Sequence, residues 1–131
     1  MEQTKLFLET YNITNISMKL NPSFELSDKP IEVKPSFGRE VIRIDNHHAI
    51  VILKVEIKNE GNKPFFGGLI IQGQFKCDNW EKSEDGLFLI KETSSAILFP
   101  YLRQALSTIT GLMNIPPYTL PVVNVQTLFK D

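Results

Sequence analysis

The side chains best suited to metal ligation or nucleophilic catalysis are two adjacent histidines, His47 and His48, and a single cysteine, Cys77. Their spacing argues against both chemistries. Neighbouring residues on a strand point to opposite faces, so two adjacent histidines cannot share one metal ion there. Cys77 has no Cys-x-x-Cys partner, and no motif in the sequence marks a base that could activate it. It reads as a small apolar residue at the end of a strand. Gly67, Gly68 and Gly73 do not make a phosphate loop, which needs glycines opening a helix and a following Lys-Ser/Thr. Carboxylates fall in loops or beside lysines, with no pair set apart for acid–base work. The residues therefore predict no enzyme, no metal and no cofactor, and point to a binding protein.

Composition narrows the partner. The chain has 131 residues, 42% apolar and 22% charged, with a formal net charge of -1. That describes one soluble globular domain over 1–131 and no electrostatic field suited to nucleic acid. Leu6-Phe7-Leu8 is too short for the apolar region of a signal peptide. No stretch approaches the length of a membrane span. A lone cysteine fits a reducing, cytoplasmic setting. Asn12-Ile13-Thr14 and Asn15-Ile16-Ser17 match the glycosylation triplet, but without a secretion signal they read as strand residues.

The elements that position these side chains follow from periodicity. Residues 13–20 alternate, with Ile16, Met18 and Leu20 on one face and Asn15, Ser17 and Lys19 on the other. A second extended region runs over 31–44, interrupted near Pro35 and Gly38. The clearest strand is 49–58, with Ala49, Val51, Leu53, Val55 and Ile57 on one face. The turn formers of 59–64 lead into a strand over 65–77, where Phe65, Leu69, Ile71, Phe75 and Cys77 share a face. The glycines within it predict a bulge or the close approach of another backbone. Residues 78–86 read as a loop and 87–90 as a short extended piece.

After Thr93 the period becomes helical, through Leu98, Leu102, Ala105, Leu106, Ile109, Leu112 and Met113. Ser94 or Ser95 is the expected N-cap, which places Pro100 near the first turn, where a missing N–H costs least. Pro116 and Pro117 end regular helix, and a short apolar helix over about 122–129 closes the chain. The expectation is an α+β domain: a four-stranded antiparallel meander with a long helix and a short C-terminal helix packed on one face. Ile50, Ile52, Phe66 and Ile70 make the sheet's second face more apolar than a solvated face should be, and are the candidate oligomer interface.

The run Ile97-Leu98-Phe99-Pro100-Tyr101-Leu102-Arg103 resembles the first helix of the SecB protein-export chaperones. The similarity continues without a gap to Phe129, through Ile115-Pro116, Val123-Asn124-Val125 and Leu128-Phe129. Tyr11 to Pro22 resembles the family's first strand, with Ile16-Ser17 and Asn21-Pro22 in matching places. The resemblance is weak between residues 24 and 94. It implies a non-enzymatic holdase, assembled as a dimer of dimers (a homotetramer), that binds unfolded polypeptide clients in apolar grooves between sheet, first helix and crossover segment. By location, Phe24, Phe65, Met113, Ile115, Tyr118 and Leu120 are the groove candidates.

Three departures qualify the resemblance. The positions aligned with the acidic residues that family members use to meet the SecA motor are Asn15, Lys19 and Gly68. The basic tail that engages the motor's zinc domain is not expected after Asp131. The proline before the Val-Asn step stands one residue early, at Pro121. These changes leave the fold intact and tell against coupling to SecA. Export is thus one expected role. The rivals are a dedicated SecB-like partner of a toxin–antitoxin system, a carrier of small apolar ligands and a purely structural oligomer that has kept the fold and lost client binding.

Overall fold

Alternating burial along the strands builds the sheet. In the computed structural model, which describes residues 5–25 and 33–115, the strands are β1 (Phe7–Leu20), β2 (Ser36–Arg43), β3 (His48–Ile57) and β4 (Phe65–Lys76). Ala49, Val51, Leu53, Val55 and Ile57 are buried on β3 while Lys54 and Glu56 are exposed. Phe65, Leu69, Ile71 and Phe75 are buried on β4, with buried Cys77 just beyond it. All pairings are antiparallel, and the strand order is β1-β4-β3-β2.

That order corrects one part of the expectation. β2, β3 and β4 form a meander, but β1 lies beside β4 and not beside β2. Residues 21–35 are too long a connection to hold β1 and β2 in a tight hairpin, so sequence adjacency did not dictate pairing. Gly67 of β4 makes room for β1 instead. A Cβ on Gly67, whose φ is +138°, would stand 1.7 Å from the Ser17 carbonyl oxygen. The irregularities of pairing lie in β1, between Leu8 and Thr10 and between Ile13 and Asn15.

The helix also begins earlier than its pattern suggests. A 3₁₀ turn, Trp80–Lys82, leads to α1 (Glu84–Phe88), a π-helical turn (Leu89–Thr93) and α2 (Ser94–Leu112), which run on without a break. The N-cap is Ser83, whose hydroxyl accepts the Gly86 N–H at 3.0 Å, and Glu84 and Asp85 follow where a helix start favours negative charge. Residues 87–90, expected to be extended, are therefore helical; so short an apolar run carries no decisive period.

Ser94 and Ser95 are not caps. In the π turn the Ser94 N–H reaches back five residues to the Leu89 carbonyl. The carbonyls it skips are met by side chains: the Ser94 hydroxyl donates to Ile90 and the Ser95 hydroxyl to Lys91 at 2.7 Å. Both serines are buried. Pro100 consequently sits deep inside the helix. Its missing N–H leaves the carbonyl of Ala96 without its usual partner, and both residues are exposed, where water can satisfy it.

The helix packs on β3 and β4. Leu98, Leu102 and Leu106 are fully buried against the inner face of the sheet, each such burial stabilising by about 2 kcal/mol. Gly73 admits the helix: a Cβ there would lie 2.8 Å from Leu98 Cδ2. Phe99 meets Phe37 of β2, with ring centroids 6.1 Å apart. The expected closing helix lies outside the described residues.

Candidate polypeptide-binding surfaces

The groove candidates begin where β1 runs out. Leu20 pairs with Phe65, and the Asn21 N–H then donates to the Pro64 carbonyl at 2.9 Å. Asn62 clasps the next residues, accepting the Glu25 N–H at 2.8 Å and donating to the Glu25 carbonyl at 2.6 Å. These bonds hold half-buried Phe24 against the strand start that carries Phe65. Phe65 itself is buried, so it supports this surface more than it presents one. Met113, half-buried, closes the helix by donating its N–H to Ile109 at 3.1 Å, and half-buried Ile115 follows. Tyr118 and Leu120 lie outside the described residues.

Several exposed apolar side chains are not among the groove candidates. Leu112, expected on the buried helix face, is 81% exposed, and Ile16 and Leu20 on β1 are 57% and 49% exposed. Ile16 and Leu20 share the helix-facing side of β1 with Met18, yet β1 is the edge strand farthest from β2. Nearer the middle of β1, Tyr11 stacks on Tyr101 with centroids 4.3 Å apart. A period-based reading recognises a face but not how far its cover extends.

The outer face is mixed. Ile50, Ile52, Phe66 and Ile70 are half-buried. Register sets Ile50 between Ile42 and Gln74, Ile52 between Glu40 and Gln72, and Ile70 between Lys54 and Asn15. Ile42, Ile50 and Ile52 form one apolar corner, and Ile70 lies diagonally from Ile52.

The titratable groups are used structurally. His48 Nδ1 lies 2.9 Å from Asp45 Oδ1 and His47 Nδ1 lies 3.1 Å from Asp78 Oδ1. The Asp45 carboxyl is held below the usual carboxylate range, first by the His47 backbone N–H and then by the His48 ring. Burial pushes the Cys77 thiol up, and nearby Asp78 adds to the effect, which makes the nucleophilic thiolate scarcer. Among the described residues no three His, Cys, Asp or Glu side chains are grouped to hold a metal ion. What the described residues offer a partner is exposed apolar surface.

Comparison with known proteins agrees. Residues 3–131 match the family model described as preprotein translocase subunit SecB. The chain belongs to the SecB family. Protein-export protein SecB of Acinetobacter baylyi is 29% identical, over 98% of this chain and 86% of its own length. An uncharacterised protein of Methanocaldococcus jannaschii is 32% identical, over 96% of this chain and 83% of its own. A SecB-like chaperone of Mycobacterium tuberculosis, solved with a peptide from the HigA1 antitoxin, superposes with a TM-score of 0.71 at 15% identity, covering 90% of each chain. In family and fold the protein is a SecB-like chaperone.

Asn15, Lys19 and Gly68, the positions that the resemblance singles out, come together on the outer face. Asn15 pairs with Ile70, Ser17 with Gly68 and Lys19 with Phe66. Beside them opens a shallow hollow of about 420 Å³ whose lining includes Asn15, Lys54, Glu56, Lys58 and Gly68. Lysines outnumber acids here. Among the described residues no helix is long and apolar enough to cross a membrane.

Proposed function

We propose that this protein is a passive, nucleotide-independent holdase that keeps polypeptide segments unfolded by covering their apolar side chains. The observation that carries this reading is the exposed apolar surface of β1 and the helix end: Ile16, Leu20 and Leu112, with half-buried Phe24, Met113 and Ile115 beside the chain turns that fix them. Covering such surface yields about 25 cal/mol per Å² of apolar area without any chemical step. The working location is the cytoplasm, the working form is a homo-oligomer, and no catalysis is involved. The Ile42–Ile50–Ile52 corner is the part of the outer face best suited to a subunit contact. A refolding client, diluted from denaturant with several-fold excess of the protein and no nucleotide, should aggregate less. Unchanged aggregation would overturn the reading. Light scattering should give a multiple of the 15.0 kDa chain mass.

A dedicated toxin–antitoxin role is the second reading. It is supported by the antitoxin peptide bound to the structurally similar M. tuberculosis chaperone and by the lysine-rich patch where the resemblance implies acidic residues in SecA-coupled members. Delivery to SecA through that patch is not proposed.

A further inference from the structure

Backbone pairing between β1 and β4 stops at Asn21 and Pro64. The Asn21 N–H reaches the Pro64 carbonyl at 2.9 Å, but neither Pro22 nor Pro64 carries an N–H to continue the ladder. Side chains take over from there. Asn21 Nδ2 donates to the Lys63 carbonyl at 2.8 Å, and Asn21 Oδ1 accepts the Ser23 N–H at 3.0 Å. Asn62 then engages both backbone groups of Glu25, accepting its N–H at 2.8 Å and donating to its carbonyl at 2.6 Å. One amide side chain thereby replaces a facing strand residue, donating once and accepting once.

The connection that carries Asn62 is itself held. Gly61 turns at φ +68°, the Glu60 N–H donates to the Lys58 carbonyl at 2.8 Å, and the Lys63 ammonium donates to the same carbonyl at 3.3 Å. Phe24 lies between two ties. Its own N–H donates to the Asn21 carbonyl at 3.2 Å, and the residue after it is gripped by Asn62. Phe24 is half-buried, which leaves part of it for a partner to cover.

The helix end comes to the same end of the sheet. Arg39 meets Lys91 and Phe37 meets Phe99, so the helix advances toward the start of β2, where β4 also begins and β1 runs out. From Phe99 it continues about 21 Å to Met113, at 1.5 Å per residue. We infer that Asn62 is a positioning residue for polypeptide binding: its amide fixes the backbone at Glu25, so that Phe24 meets an apolar side chain of the bound segment already ordered. Without that grip, Phe24 would be ordered only on binding. Fixing one residue's backbone beforehand is worth a factor of about five or more in affinity. This deepens the polypeptide-holding reading and rests on it.

The probe is reduced, carboxymethylated α-lactalbumin, a client that stays unfolded, labelled with fluorescein and titrated with the 131-residue chain by anisotropy. Asn62→Ala should weaken binding about five-fold or more, and Phe24→Ala at least as much, with far-UV circular dichroism confirming that both variants fold. In the Phe24→Ala background, Asn62→Ala should change affinity by less than about two-fold, the non-additivity of a residue that acts through another. A merely structural loss would weaken both backgrounds alike. Amide exchange gives the local readout: the Glu25 N–H should exchange about ten-fold faster in Asn62→Ala, while the Ser23 N–H, held by Asn21, is unchanged. Parent-like binding by Asn62→Ala or by Phe24→Ala, or an undiminished effect of Asn62→Ala when Phe24 is gone, overturns the inference alone. A parent chain that leaves the probe unbound removes the holdase reading, and this inference with it.

Discussion

Gly67→Ala should be among the most damaging single-atom-scale changes in the protein. The added Cβ would stand 1.7 Å from the Ser17 carbonyl oxygen, 2.7 Å from its carbon and 2.8 Å from Met18 Cα. Ordinary contact between such atoms is about 3.5 Å, and the obstacle is backbone that cannot swing aside as a side chain would. Two costs add. The residue's φ of +138° is one that side-chain-bearing residues rarely adopt, and holding alanine there costs about 1–3 kcal/mol. Driving β1 away strains the bonds around the pairs Ser17–Gly68, Met18–Gly67 and Lys19–Phe66; losing two or three of them costs about 1–4 kcal/mol. The expected loss is about 2–7 kcal/mol, a large share of the 5–15 kcal/mol typical of a domain. Gly61→Ala is the internal control, because Gly61 has φ +68° with nothing within 4 Å of its would-be Cβ. It carries only the backbone term, about 1–2 kcal/mol. Urea unfolding at one fixed protein concentration, followed by Trp80 emission and far-UV circular dichroism, compares the two variants. Should Gly67→Ala cost no more than Gly61→Ala, the close approach of β1 to β4 is not what the glycine serves.

Three further outcomes test other links. Ser83→Ala removes the hydroxyl that accepts the Gly86 N–H and should lower stability by about 1 kcal/mol in the same unfolding assay, whereas alanine at Ser94 should act through the carbonyl of Ile90. Arg39→Met leaves Glu92 and the Lys91 carbonyl without their buried partner; a loss of about 2–4 kcal/mol is expected, and adding Glu92→Leu should recover part of it, a non-additivity that a double-mutant cycle reads directly. Asp45 has its folded pKa depressed, so its contribution is present above the unfolded value of about 3.9 and lost as pH falls through the lower folded value. Asp45→Asn should accordingly flatten the acid limb of the stability–pH profile, and an unchanged limb below about pH 4 would refute that assignment.

Much of the fold was legible because burial on β3 and β4 follows period two. Ala49 to Ile57 and Phe65 to Phe75 sort into buried and outward residues as their alternation predicts. The strand order was not legible. The partner of β1 depends on whether β4 can admit another backbone at Gly67, and a glycine in a strand signals close approach without naming what approaches. The helix start was misread for a physical reason. Serine serves equally as an N-cap or as an internal donor to a carbonyl one turn back, and only the π turn at Leu89–Thr93 turns Ser94 and Ser95 into the latter. Leu112 shows the limit on the binding surface: helical spacing assigned it to the packed face, but among the described residues nothing covers the end of α2 enough to bury it.

The two faces of the sheet answer to different constraints, so charge on the outer face can change while the SecB fold persists. Inner-face residues such as Leu53, Ile71 and Phe75 are buried against the helix, so a change of volume there is felt by several neighbours at once. Outer-face positions such as Asn15, Ser17 and Lys19 are exposed, where a substitution alters little beyond local charge. Sign can therefore change on the outer face at almost no cost to folding, and with it the partner that the face attracts or repels. Gly68 is the exception, since a Cβ there would lie 2.9 Å from the Val55 carbonyl oxygen. A carboxylate cannot be placed at that position without moving β3, so adding acidic charge to this patch requires Asn15 and Lys19 as the sites. Asn15→Glu with Lys19→Glu should leave the unfolding midpoint nearly unchanged, within about 0.5 kcal/mol for each site. A larger loss would show that the outer face carries structural weight after all.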